Sequence, residues 1–115
     1  MTKGIETRLA DGQLSNTETE LLEIEGYSKD IEGQVSQLNI RSIILVNTHN
    51  ASITINIQIK KADNTKRYIC PKDLIIDAGT SKVFEDEQII FPNESLVGSA
   101  SIAAKIDYII YGKIL

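Results

Sequence analysis

The sequence predicts an all-β protein: an antiparallel β-sandwich, jelly-roll-like, of seven or eight short strands, with a small β-barrel as the alternative. Three observations carry this. From Ser52 to Lys60 the chain reads S-I-T-I-N-I-Q-I-K, so Ile53, Ile55, Ile57 and Ile59 share one side of a strand. Ser52, Thr54, Asn56, Gln58 and Lys60 take the other side; a helix would scatter the isoleucines around its circumference. Turn-forming residues separate further short apolar runs at near-regular intervals. Isoleucine is the commonest apolar residue, its β-branch favours a pleated surface, and no stretch is strongly amphipathic at helical period.

The elements follow in order. Residues 1–16 read as an N-terminal arm, because Ile5, Leu9 and Leu14 are sparse and follow no period among Gly4, Asp11, Gly12 and Asn16. The sandwich domain then spans residues 17–115. Thr17–Glu25 is a first strand with Leu22 and Ile24 on one face; Leu21 on the other makes the alternation imperfect, and a helix from Thr17 is the alternative. Gly26–Gln37 is a loop with room for a helical turn around Lys29–Glu32. Leu38–Asn47 is a strong strand whose run Ile43-Ile44-Leu45-Val46 implies cover on both faces. After the turn Asn47–Ala51 comes the alternating strand. Ala62–Thr65 is a hairpin loop around Asp63-Asn64, and Lys66–Ile69 pairs back until Pro71 interrupts it, as at an edge or bulge. Leu74–Asp77 is a short strand and Ala78-Gly79-Thr80 a turn. Ser81–Phe84 and Gln88–Phe91 are two strands or one bent strand, Pro92-Asn93 a turn, and Leu96–Ala100 a short strand. Ile102–Leu115 closes the chain, with Ile106, Tyr108 and Ile110 on one face and Ile109 and Tyr111 on the other.

A chain of 115 residues fits one core without a metal or disulfide staple. The net charge of −4 argues against general nucleic-acid binding, which needs a basic footprint. One cysteine, Cys70, excludes an intrachain disulfide and fits a reducing compartment. No apolar run reaches the ~18 residues of a membrane span, and the N-terminus has no signal-peptide or transit pattern, so a soluble, non-exported protein is expected. Asn50-Ala51-Ser52 and Asn93-Glu94-Ser95 match the glycosylation sequon by coincidence on this reading.

Chemistry-bearing motifs are missing. His49, the single histidine, reads as a polar turn residue, since no nucleophile–base signature accompanies it. One His and one Cys fall short of a zinc ligand set. Cys70 reads as a small packed residue at a strand end. Glu85-Asp86-Glu87 reads as a solvated turn or hairpin tip, and Lys60, Lys61, Lys66 and Arg67 as solubilising charge that protects an edge. Neither glycine-rich phosphate-loop pattern occurs. No catalytic, metal or cofactor site is expected, and the chain does not read as an enzyme.

Four stretches carry a resemblance: IRSIILVNTHNASITINIQI, LIIDAGTSKVF, IIFPNESLVGSAS and IAAKIDYIIYG. Together they make Leu38–Leu115 resemble small accessory virion proteins of tailed bacteriophages. Where many members have a Pro-Ala-Gly turn before the second strand, this chain has Glu32-Gly33-Gln34. The resemblance implies a β-sandwich used in head decoration, neck, tail or fibre attachment, found in the virion and in the host cytoplasm before assembly. It implies other virion subunits and further copies of the chain as partners, and no nucleic acid or membrane. The partner contacts expected are Ile5 and Leu9 of the arm, Thr54, Asn56 and Gln58 of the polar face, and Tyr111 and Leu115 near the chain end. A carbohydrate-binding adhesion module that takes a host glycan is the alternative, weakened by the absence of Trp.

Overall fold

The computed structural model describes residues 4–26 and 35–115. Among the described residues, ten strand segments form two antiparallel sheets. Sheet A runs in the order β1 (Thr7–Gln13), β10 (Ile106–Ile114), β3 (Leu38–Asn47), β7 (Ser81–Phe84), with β8 (Gln88–Ile90) also on β3. Sheet B runs β2 (Thr19–Glu23), β9 (Ser95–Ala100), β4 (Ile53–Lys60), β5 (Lys66–Tyr68), with β6 (Leu74–Ile76) also on β4. Both sheets stay open, so the barrel alternative falls. If β5 with β6 and β7 with β8 each count as one interrupted strand, the orders become 1-8-3-6 and 2-7-4-5. That is the double Greek key of a jelly roll.

The isoleucine alternation places the core as expected. Ile53, Ile55 and Ile57 are at most 1% exposed, and Ile59 packs against the same cluster from the rim. From sheet A, Leu38, Ile40, Ile43, Leu45, Ile106 and Ile110 meet them. Each fully buried aliphatic side chain of this kind stabilises the fold by roughly 1.5–3 kcal/mol.

Residues 4–16 correct the expectation of an arm. Thr7–Gln13 pairs with β10 from Thr7 opposite Gly112 to Gln13 opposite Asp107. Leu9 and Leu14 lie in the core, at 5% and 0% exposure. The two are five residues apart, a spacing that a regular strand puts on opposite faces. A bulge between Arg8 and Ala10 resets the alternation and turns both inward. The same device explains two other irregular patterns. In β2 a bulge between Glu20 and Leu22 allows adjacent Leu21 and Leu22 both to be buried. In β3 the register against β10 slips where Tyr111 faces Ser42 and Gly112 faces Ile40, leaving Arg41 as the extra residue. Inward positions therefore change from Leu38 and Ile40 to Ile43, Leu45 and Asn47.

Asn47 is fully buried at the end of β3. Its Nδ2 donates to the carbonyls of Ala51 and Ile76, both at 2.9 Å, and its Oδ1 accepts the His49 N–H at 2.8 Å. The residue read as a strand end thus ties the β3–β4 turn to β6. The Ala62–Thr65 hairpin closes as expected, with Asn64 at φ 68° and the Asp63 carboxylate accepting the Thr65 N–H.

Three further expectations change. The closing strand begins at Ile106, not Ile102, because residues 101–105 turn with Ala104 at φ 61°. Glu85-Asp86-Glu87 is not a hairpin tip: β7 and β8 both run antiparallel to β3, and the acidic triplet spans the break between them. Thr17–Glu25 is a strand only over Thr19–Glu23 and ends in a 3-10 turn at Ile24–Gly26. The helical turn expected at Lys29–Glu32 falls outside the described residues.

Two substitutions test this register. Ile55→Asp buries an unpaired carboxyl between the sheets and should cost about 4 kcal/mol in denaturant unfolding; near wild-type stability would remove the β4 register. A Cβ on Gly112 would lie 1.9 Å from the carbonyl oxygen of Asn39, which belongs to the backbone of the neighbouring strand. Gly112→Ala should therefore cost about 3 kcal/mol by forcing β3 and β10 apart; a neutral effect would show that the bulge at Arg41 is misplaced.

Candidate functional site

The surface of a two-layer sandwich consists of two outward sheet faces, the sheet edges and the end loops. Register decides which side chains each face presents.

On sheet A, the outward positions of β10 are Asp107, Ile109, Tyr111 and Lys113. Ile109 has Asp11 of β1 on one side and Ile44 of β3 on the other, and Ile44 faces Val83 of β7. Tyr111 stands between Arg8 and Ser42. Ile44, Val46, Ile109 and Tyr111 are half-buried, and Val83 and Ile89 are 50% and 37% exposed. The cover expected over Ile44 and Val46 is thus only their strand neighbours. Arg8 and Asp11 form an exposed ion pair at 3.2 Å, and Gln13 Nε2 donates to Asp107 Oδ1 at 3.0 Å. Beside the bulge, Arg41 lines one shallow cleft with Asn39, Glu87 and Lys113, and a second with Ser42 and Glu85.

The outward face of sheet B is different. Val97 sits between Glu20 and Gln58 and is only 2% exposed, so polar neighbours already cover it. Asn56 spans the break between β5 and β6: its Nδ2 donates to Asp73 Oδ1 and its Oδ1 accepts the Asp73 N–H, both at 2.9 Å. Lys66 pairs with Glu18 at 2.7 Å. Partial burial, and then the neighbouring Glu20 and Glu25 carboxylates, pushes the Glu23 carboxyl above its ordinary range.

The seven expected contact residues do not form one site. Thr54, Asn56 and Gln58 share the outward face of sheet B, but Asn56 is engaged in holding Asp73. Tyr111 lies on the outward face of sheet A. Ile5, 59% exposed, follows Gly4, whose N–H donates to the Ile114 carbonyl. Leu115 pairs with Gln37 through both backbone groups, and its carbonyl also accepts from Ser36. Leu9 is a core residue and is withdrawn as a surface contact. Sequence reading passed over Val83 and Ile89; the signal was a pair of apolar residues at outward positions of short edge segments.

Among the described residues, no group of three or more His, Cys, Asp or Glu side chains is placed to hold a metal ion. No described helix is long and apolar enough to cross a membrane. His49 uses its backbone N–H to bind Asn47. Cys70 is buried, and that burial raises its thiol pKa above the ordinary value.

Comparison with known proteins gives a fold. No family model matches the chain, and no curated protein matches it. Among solved structures, it is similar to the Tobacco streak virus coat protein dimer at a TM-score of 0.51. That match covers 96% of this chain and 85% of that one at 12% identity. A likeness at this identity speaks for the sandwich architecture and not for an activity.

The burial of Cys70 makes one prediction here. In the native protein at neutral pH it should react with a thiol reagent ~100-fold or more slowly than in the unfolded chain. Rapid stoichiometric labelling of the folded protein would show an accessible, activated thiol.

Proposed function

We propose that this chain is a non-enzymatic structural protein of a virion, which acts by binding further copies of itself and neighbouring subunits. The observation that supports this best is the sandwich fold, similar over nearly the whole chain to that of a viral coat protein. Such a subunit needs surfaces, not a catalytic pocket. Particle symmetry repeats each contact many times, so modest contacts add up to firm attachment.

The finer reading is an accessory protein of a tailed-phage particle, attached to capsid, neck or tail. It rests on the resemblance of the Leu38–Leu115 segments. The carbohydrate-binding alternative has less support. The exposed aromatics Tyr68 and Phe91, at 47% and 50%, belong to different sheets: one lies on β5, the other just after β8.

The test is to purify intact particles, identify this chain in them by mass spectrometry and locate it by imaging. The expected result is repeated copies at symmetry-related positions, with head, neck or tail read from the location. Recovery of the chain only outside particles would reject the proposal.

A further inference from the structure

We infer that the outward face of sheet A is a self-complementary interface, on which two copies of this chain pack face to face about a two-fold axis that passes between them, over Ile110 of β10. The inference deepens the structural-protein reading above and rests on it for its setting, while its chemistry stands on the register of β1 and β10.

Along β10 the outward side chains run from an acid to a base: Asp107, Ile109, Tyr111, Lys113. Neighbouring β1 repeats the order, with Asp11 beside Ile109 and Arg8 beside Tyr111. A two-fold axis parallel to the sheets, midway between the two copies and perpendicular to the strands, reverses this sequence in the facing copy. With the axis at Ile110, Asp107 meets Lys113 of the other copy, Asp11 meets Arg8, and Ile109 meets Tyr111. Each contact then occurs twice, as an isologous interface requires. Sheets that pack face to face lie about 10 Å apart, within reach of these side chains.

The charged groups keep capacity for new partners. Asp107 accepts one surface hydrogen bond, from Gln13 Nε2 to its Oδ1 at 3.0 Å. The Arg8–Asp11 pair is exposed on both sides, at 61% and 54%, and such pairs contribute little within one chain. Lys113 has no carboxylate within ion-pair distance among the described residues. Toward β7 and β8, Arg41 shares its clefts with Glu85 and Glu87, and the Glu87 cleft is lined by Glu6 and Lys113 as well.

Size fits as well. Four strands about 4.8 Å apart, with about 3.3 Å per residue over the nine residues of β10, give a face of roughly 600 Å2 in projection. Side-chain relief adds to that, and a stable pair buries about 800 Å2 per partner. The edges compete poorly. β1 and β2 carry bulges, while β5–β6 and β7–β8 are interrupted, and irregular edges resist strand-to-strand joining. The outward face of sheet B, with Val97 covered and Glu20 and Glu23 crowded on β2, would set like charges against each other.

Sedimentation velocity of the full chain over a concentration series tests this. Wild type should show a reversible dimer. Asp107→Lys and Lys113→Asp should each weaken it ~10-fold or more, because each sets like charges opposite one another twice. The double variant, with the charges exchanged, should return to within ~3-fold of wild type. Circular dichroism should be unchanged throughout, since both side chains face solvent. A wild type that stays monomeric, single reversals without effect, or a double variant that fails to recover would each overturn the interface. If the exchange behaves as expected but purified particles lack the chain, the interface stands and the virion reading alone fails.

Discussion

The inward side chains of sheet A depend on the pairing of β10 between β1 and β3. β10 lies between β1 and β3 along most of its length, and its inward Ile106, Ile110 and Ile114 are fully buried. The side-chain period of a strand is two, so a slip of one residue would turn this whole set to solvent. The chain allows such slips only at fixed places. The bulges at Leu9 and Arg41 shift the partners of β10 by one residue each, and each shift brings an apolar set back to the core. Gly112 sits where the second shift presses the Asn39 carbonyl against β10, and only a residue without a side chain fits there.

These bulges explain what could be read from the sequence and what could not. The stripe Ile53–Ile59 is regular, so its strand, its face and its burial were all legible. The turns at Asp63-Asn64, Gly79 and Asn93 were legible too, because their residues tolerate the positive φ that each adopts. Leu9 and Leu14 were not, since their odd spacing contradicts a simple strand and only a bulge reconciles them. The imperfect alternation of Leu21 and Leu22 has the same origin. Register across strands is non-local, so no window of sequence shows that Asp11 stands beside Ile109 or that Asn56 reaches Asp73. Scattered candidate contacts were the result, where the structure offers coherent faces.

The irregularities also bear on how the chain meets other chains. Open sheets expose unpaired backbone groups at four edges, each a template for joining to another strand. Here two edges are bulged and two are broken, one at Pro71 and one at Glu85-Asp86-Glu87. Uncontrolled joining is suppressed at the edges, which leaves side-chain chemistry on the faces to choose partners. Face contacts carry register through charge placement, whereas a bare edge accepts any extended chain.

β1 belongs to the sheet and flanks β10, instead of trailing as an arm. Native-state hydrogen exchange, resolved amide by amide along Ile106–Ile114, tests it directly. In an antiparallel sheet, alternate amides of an inner strand point to opposite neighbours, here β1 and β3. Slow exchange is expected for both sets in the central part of β10. Slow exchange at every second amide, with the intervening ones fast, would show that β1 does not hold its place beside β10.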